Sequence, residues 1–412
     1  MNPGAETVSN FCHQAGWLYA EAPELAFAAA GNAQPRASDR AKIEVNAAIP
    51  RDRGGMYFPF RRPRLLHRRH ARTGGQTRQE RNGKAANGYR RSVPPASADA
   101  LIVGAGVAGL TTALTLAEAG LRVRVWAADP PLATTSAAAG AMWAPYPSEP
   151  ADRTLRWRTH SLDVLRRLAA QPRTGVRLAT GIEAARTPIS ADVGDPASRE
   201  FRVCESHELP SGFVAGFRIT TPLIDMPVYL RHLERMLADA GTVIEPRRLR
   251  SLSQAAGAAA TIVNCAGTGA RTLVPDESVT AIRGQVVVVE NPGLTEFFAE
   301  ISGQLTEQCY IYPHGETAVL GGVAMPDQWG LDPDEAIASG ILSRCCAVEP
   351  ALRGARVIGH RVGLRPGRPE VRLEEEEIEG FRLIHNYGHG HAGVTLSWGC
   401  AADVRALVLC RD

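Results

Sequence analysis

ALIVGAGVAGLTTALTLAEAGLRVRVWAAD, running from Ala100 to Asp129, decides the fold. ALIV is a short apolar run ending in glycine, the form of a buried parallel strand. VAGLTTALTLAEAG follows with apolar residues at helical spacing and Gly120 as its C-terminal stop. RVRVW is a second strand, so the stretch reads as one right-handed βαβ unit. Gly104, Gly106 and Gly109 form G-x-G-x-x-G between the first strand and the helix. Gly104 permits a tight turn, Gly106 lets the backbone approach a pyrophosphate, and Gly109 allows helix and strand to pack closely. A diphosphate there would meet the free N–H groups of the helix N-terminus. Asp129 closes the second strand region, where a carboxylate accepts hydrogen bonds from an adenosine ribose. A dinucleotide site is the expectation; a merely glycine-capped helix is the plain alternative.

Working outward, DRTLRWRTHSLDVLRRLA and PVYLRHLERMLADAG read as amphipathic helices, and TVIE and TIVNCAG as later strands of the same parallel sheet. From Arg283 the texture changes. GQVVVVE, QCYIYP, TAVLGGV and GHRVGLRP are β-like runs separated by Gly and Pro, the pattern of a mainly antiparallel sheet. FRLIHNYG is a further strand, turning at Gly388 and Gly390 into a closing helix, VTLSWGCAADVRALVL. The expected fold class is α/β, a Rossmann-like dinucleotide domain with a parallel sheet, interleaved with an α+β substrate domain on a mainly antiparallel sheet. Residues 98–282 are expected to belong mostly to the first domain, with part of the second inserted. Residues 283–372 fall mostly in the second, and residues 373–412 return to the first.

Residues 1–97 read differently. Arg and Lys crowd Arg36 to Arg91 without strand or helix periodicity, a composition that cannot bury enough apolar surface to offset its ordering entropy. A disordered basic tail, or a start placed too far upstream, is expected there. Such a run can bind phosphates, but its aromatics are sparse and nucleic acid is not expected as a partner. The whole chain of 412 residues carries only +3, with 44% apolar and 22% charged residues, as in ordinary globular proteins. Its eight Cys contain no C-x-x-C, so reduced thiols are expected. No apolar run reaches membrane-span length. LAFAAAGNA lacks the basic start of a secretory signal, so a cytoplasmic location is expected.

The glycine signature alone does not separate NAD from FAD; two later elements do. TTSAAAGAMWAPY, Thr134 to Tyr146, places hydroxyls and small residues after Asp129, and NCAGTGAR, Asn264 to Arg271, ends a late strand with Gly267 and Gly269. Together with RGQ, GLRPGRPEVRLE and HNYGHGHAGVTLSWGCA, these motifs resemble those of the FAD-dependent D-amino-acid oxidase family, in the same order, from Ala98 to the C-terminus.

The resemblance implies noncovalent FAD and assigns roles to residues. Gly104, Gly106, Val107, Gly109, Asp129, Thr134, Thr135, Ser136, Met142, Ala144, Leu249, Gly267 and Arg365 would contact the cofactor. Gly388, Gly390, Gly393, Val394 and Thr395 would line its flavin ring. Arg365 would bind the substrate carboxylate, which suits a guanidinium's two parallel donors. Tyr310 would help hold that carboxylate, with Tyr312 its same-face neighbour, although a core aromatic is the plain reading of both. His391, also assigned to the substrate side, stands where the family usually has Gly. Thr306 stands where eukaryotic members often have a second active-site tyrosine. Arg368 and Arg372 read as structural, paired with Glu370 or Glu374.

The implied reaction is hydride transfer from Cα of a D-amino acid to flavin N5. Hydrolysis of the imine to a 2-oxo acid and ammonia follows, and O2 reoxidises the flavin to give hydrogen peroxide; no acid or base residue is required. Between Gln285 and Tyr310 there is no Arg or Lys, but Glu290, Glu296, Glu300 and Glu307 occur, which tilts the preference toward neutral or basic D-amino acids. Glycine or sarcosine oxidase, D-aspartate oxidase and an NAD(P) dehydrogenase remain as alternatives. A nucleic-acid-binding protein led by its basic tail is a further alternative of another class. The expected partners are the small substrate and O2, and a homodimer is left open.

Because motifs and periodicity both begin near Ala98, a chain starting around Val93 is expected to fold, bind FAD and turn over. Loss of flavin from this shortened, soluble protein would show that residues 1–92 pack on the core.

Overall fold

A computed structural model describes residues 98–410 except 146–147, 190–199, 303–304 and 379–380. The basic segment read as a tail lies outside the described residues. The chain begins with β1 (Ala100–Val103), α1 (Val107–Glu118), β2 (Val123–Ala127) and the single turn α2 (Thr135–Ala138). It continues through β3 (Ala141–Met142), the long helix α3 (Ala151–Ala169), β4 (Val176–Ala185), β5 (Glu200–Val203) and β6 (Ala215–Ile224). Helix α4 (Met226–Asp239) then leads to β7 (Ile244–Pro246) and β8 (Thr261–Asn264). Next come β9 (Thr280–Glu290), β10 (Phe297–Glu300), β11 (Tyr310–His314), β12 (Thr317–Gly321), β13 (Met325–Pro326), α5 (Glu335–Val348) and β14 (Val357–Gly367). The chain closes with β15 (Arg372–Ile378), β16 (Phe381–Tyr387) and α6 (Gly393–Leu409).

These strands form two sheets. The first has six strands in the order β15-β16-β8-β1-β2-β7, parallel except for the β15–β16 hairpin. The second has the order β13-β9-β12-β11-β10-β4-β6-β3, with β14 also on β9 and β5 on β6. It is antiparallel except where β10 runs alongside β4. The α/β fold with one parallel and one mainly antiparallel sheet is thus as expected. Helix α1 ends where Gly120 takes φ +85°, a conformation glycine adopts without steric cost.

Several elements were not legible as sequence runs. Strand β6 is buried on both faces from Thr221 to Ile224, so its sequence does not alternate there, and β4 and α5 were not read from the sequence either. Glu374 to Glu377, an acid run in the sequence, is the edge strand β15. Its charges suit an edge, where they discourage pairing with another chain, and they are matched locally. Arg372 bonds Glu374 and Glu376, Arg382 bonds Glu375, and His385 Nε2 lies 2.8 Å from Glu376. The Arg372–Glu374 pair is as expected. Arg368 is not: its partner is Asp276 at 3.1 Å, and it reaches only the backbone carbonyl of Glu370.

The largest core cluster packs the face of the parallel sheet that carries α1 against α3, α4 and α6, with Trp143, Trp157, Tyr229 and Leu165 fully buried. Where α6 crosses α3, an added Cβ on Gly399 would lie 2.2 Å from Trp157 Cα and 2.3 Å from its carbonyl oxygen. Both neighbours are backbone and cannot rotate away. Gly399→Ala should therefore cost about 3 kcal/mol, at the upper end of overpacking effects, read as a fall in urea midpoint at unchanged slope.

Candidate active site

The C-terminal ends of β1, β2 and β8 open onto a cleft of about 600 Å³ that continues to the face of the second sheet carrying Tyr310 and Arg365. Its position follows from small residues. An added Cβ on Gly104, at φ +118°, would sit 2.4 Å from Cys265 O, and one on Gly109 would sit 2.0 Å from Gly104 O. Strand β1, helix α1 and the end of β8 are therefore in direct backbone contact, and the helix N-terminus faces the cleft floor. Gly106, the residue before α1, brings no capping side chain, and no acid occupies the first turn. Ser136 Oγ accepts the Val107 N–H at 3.0 Å. This cradle suits a pyrophosphate.

At one end of the cleft, Asp129 meets Arg248 Nη2 at 3.1 Å, and the Arg247 guanidinium lies 3.8 Å from the Trp126 ring centroid. At the other end are the proposed substrate groups. The guanidinium of Arg365 fills the space a Cβ on Gly284 would take, 2.4 Å from Nη1, and Nη1 donates to Val323 O at 3.1 Å. The Tyr310 ring lies in a slot made by three glycines. An added Cβ on Gly140, Gly321 or Gly322 would come within 2.7, 2.0 or 2.9 Å of it. Tyr312 stacks on it at 4.6 Å between centroids. Burial pushes the Tyr310 phenol up to about 12, against the opposing pull of Arg365, so it stays a donor at neutral pH. Burial alone takes His389 down to about 4; for His391 burial and then the charge of Arg365 do the same. Both rings are neutral in the cleft.

Of the residues singled out in the sequence, Gly104, Gly106, Val107, Asp129, Thr134, Thr135 and Ser136 line the cleft's nucleotide side, with Leu249 and Gly267. Tyr310, Arg365, Gly390, His391, Gly393 and Val394 line the rest. Five others are off its wall. Gly109 serves the helix–strand contact instead. Met142 and Ala144 are buried in the core of the second sheet with Phe217, Ile219 and Tyr312. Gly388, at φ +83°, packs on the Arg368 side chain, and Thr395 is buried in the first turn of α6. Thr306 is exposed on a short turn, Leu305–Glu307.

The glutamates expected to bias side-chain preference do not reach the cleft. Glu290, Glu296 and Glu300 pair with Arg356, Arg218 and Arg186, and none of the three lines the cleft. Sequence reasoning missed Arg247 and Arg248, which follow a short strand with no motif, the slot glycines Gly140, Gly321 and Gly322, and Gly284 against the Arg365 guanidinium. The signal of those glycines lies in their neighbours across the sheet, not in their own sequence.

A parallel sheet with a glycine-opened helix at its carboxyl edge, facing a second sheet that carries a half-buried Arg and Tyr, has the form of a dinucleotide-dependent enzyme. The chain belongs to the FAD dependent oxidoreductase family, which it matches over residues 99–407. It is 50% identical over 317 residues to a D-amino-acid oxidase of Rubrobacter xylanophilus, spanning 75% of this chain and 95% of that one. It is 44% identical over 313 residues to a D-amino-acid oxidase of Streptomyces coelicolor, spanning 75% and 96%. A glycine oxidase of Geobacillus kaustophilus superposes with a TM-score of 0.65 at 20% identity, covering 76% of this chain and 95% of that one, and so shares the fold. FAD is accordingly the cofactor, and the helix cradle, the small residues around it and Asp129 fit its diphosphate and adenosine parts. Among the described residues no helix is long and apolar enough to cross a membrane.

Gly106→Val should yield a colourless protein. A Cβ there already stands 3.2 Å from Ser136 Oγ, and a branched side chain would fill the diphosphate cradle. The flavin absorbance of the purified variant decides the matter; full flavin occupancy would mean that the diphosphate lies elsewhere.

Proposed function

We propose that the protein oxidises D-amino acids to 2-oxo acids, with release of ammonia and hydrogen peroxide, using noncovalently bound FAD. The observation that carries this reading is the Arg365 guanidinium, seated over Gly284 at the end of the FAD cleft beside a protonated Tyr310. Bound FAD supplies the two-electron acceptor for the hydrogen leaving Cα and passes the electrons to O2. The protein's part is placement. Arg365 donates two parallel N–H groups to the substrate carboxylate, and Val323 O fixes the plane in which they lie. Tyr310 O–H donates a third bond, its ring kept from rotating by the glycine slot and by Tyr312. Holding the carboxylate this way presents Cα to the cofactor as an oriented, effectively unimolecular reactant. Negative charge on the cofactor's ring end is favoured by the N-terminus of α6, whose first residues Gly393 and Val394 line the cleft.

The side-chain preference that fits best is neutral. The basic residues on the cleft wall are Arg247 and Arg248 at the nucleotide end and Arg365 at the carboxylate anchor. A D-aspartate side chain would add a second carboxylate with no further Arg or Lys among the described residues of that wall to meet it, which disfavours the D-aspartate alternative. A substrate with a cationic side chain gains nothing from glutamates that do not line the cleft.

Arg365→Ala should keep the flavin spectrum while lowering kcat/KM by about 3–5 kcal/mol, since a dry carboxylate loses its charged partner. Arg365→Lys should recover only part, because an ammonium cannot reproduce the two-pronged geometry. Tyr310→Phe should cost about 1–2 kcal/mol, mostly in apparent affinity. Rapid-reaction flavin reduction by a D-amino acid measures all three. Reduction of Arg365→Ala as fast and as tight as the parent would rule out this anchor.

A further inference from the structure

Strand β11 carries Tyr310 and Tyr312 on the cleft side of the second sheet. Alternation puts Cys309 and Ile311 on the other face, where they pack against Ile341 and Cys345 of α5. The Cys309 and Cys345 sulfurs stand 3.9 Å apart, both free thiols and both fully buried. Cys345 Sγ also lies 3.6 Å from the Tyr310 carbonyl oxygen and 3.9 Å from that of Gly321. The thiol pair thus backs the ring that meets the substrate and one glycine of its slot, and the oxidation itself uses neither sulfur. The neighbouring Cys309 and burial push the Cys345 thiol up, while the charge of Arg344 opposes them. A protonated thiol is a slow nucleophile, so the pair responds to an oxidant that accumulates rather than to a single turnover. Thr306 and Glu307, on the turn before Cys309, are exposed, and local opening of such a turn admits a small oxidant.

We propose that the peroxide released by the reaction joins Cys309 to Cys345 as a disulfide, and that this bond loosens Tyr310's hold on the substrate carboxylate. Oxidant and carboxylate both come from the amino-acid-oxidase reading, on which this rests. The Cys345 thiolate attacks one peroxide oxygen and the O–O bond breaks. The other oxygen leaves as water with the thiol's proton, and Cys345 becomes a sulfenic acid. The Cys309 sulfur then attacks the Cys345 sulfur, the S–O bond breaks, and the hydroxyl leaves as water with the Cys309 proton. Two thiols are oxidised and one peroxide is reduced to two waters. The 3.9 Å contact becomes a bond of about 2.05 Å, which draws α5 and β11 together and removes the thiol hydrogen facing the Tyr310 carbonyl. Gly140, Gly321 and Gly322 leave the Tyr310 ring no spare room, so a shift of its backbone is passed on to its hydroxyl.

The test treats the holoenzyme with hydrogen peroxide, or lets it turn over D-alanine in air with and without catalase. Free thiols are then blocked and peptides mapped without reduction. A Cys309–Cys345 crosslink is expected with added peroxide and after turnover, but not when catalase is present. KM for D-alanine should rise roughly five-fold with kcat within about two-fold, the loss expected for a weakened hydrogen bond, and dithiothreitol should restore it. Cys309→Ser and Cys309→Ala should each keep their KM through the same treatment, with FAD content and melting temperature reporting their folding. No crosslink under added peroxide, or pairing of Cys345 with another cysteine, would overturn the disulfide. An unchanged KM in crosslinked protein, or an equal rise in the Cys309 variants, would overturn its effect on Tyr310. A crosslink with added peroxide but none during peroxide-releasing turnover would overturn the reaction as its source. Absence of peroxide release from D-alanine, with the crosslink still formed by added peroxide, would overturn the oxidase reading and not the pairing.

Discussion

The hydroxyl of Thr135 bonds the backbone of Leu364 twice, donating to its carbonyl at 3.1 Å and accepting its N–H at 3.2 Å. Thr135 stands in the short helix that follows the Asp129 region of the parallel sheet, and Leu364 in the strand that carries Arg365. This bond joins the nucleotide side of the cleft to the substrate side. Its neighbour Gly363 makes the approach possible, since an added Cβ would lie 3.0 Å from Ala138 Cβ and 3.2 Å from Thr135 Cγ2. Strand β14 is held in turn by β9 along its length, Val357 to Gly367. The Arg365 guanidinium, the proposed substrate anchor, is thus placed relative to α1 through hydrogen bonds, Thr135 to Leu364 and the Val107 N–H to Ser136.

The charge distribution along the cleft matches this geometry. The N-termini of α1 and α6 both face it, and each favours negative charge where a dinucleotide's phosphates and a reduced ring would carry it. Histidines that could add competing positive charge are kept neutral by burial. The turn holding Gly388 to Gly390 is braced from outside the cleft by Asp276. Burial would raise its carboxyl, but bonds from Ser278, Tyr387 and Arg368 together outweigh that and bring it down to about 2. The Arg368 stem then packs on Gly388. GLRPGRPEVRLE thus does two jobs: Arg365 lines the cleft, while Arg368 and Arg372 brace the turn at Gly388 through Asp276 and Tyr387.

Glycine spacing recurs as the means by which this protein brings large groups together. Gly284 admits Arg365; Gly140, Gly321 and Gly322 admit Tyr310; Gly399 admits the backbone of α3. In each case the glycine and the group it accommodates are distant in sequence or lie across a sheet, so a single-residue change would displace a side chain or a helix backbone named elsewhere in the chain.

The sequence by itself determined the βαβ unit, the dinucleotide cradle at Gly104 and Gly106, the switch from a parallel to an antiparallel sheet near Arg283, and the Arg365 and Tyr310 motifs. These depend on short-range patterns, because apolar period and glycine position act within one element or one turn. Only the tertiary structure decided which residues face the cleft. Met142, Ala144 and Thr395 left it because strand alternation and helix phase turned them into the core, and the glutamates of residues 290–300 left it because each is held by an arginine away from the cleft. Arg247, Arg248, Gly140 and Gly284 entered it through contacts with residues far apart in sequence. A side chain's role there depends on the neighbours that the fold supplies, and no local pattern encodes those neighbours.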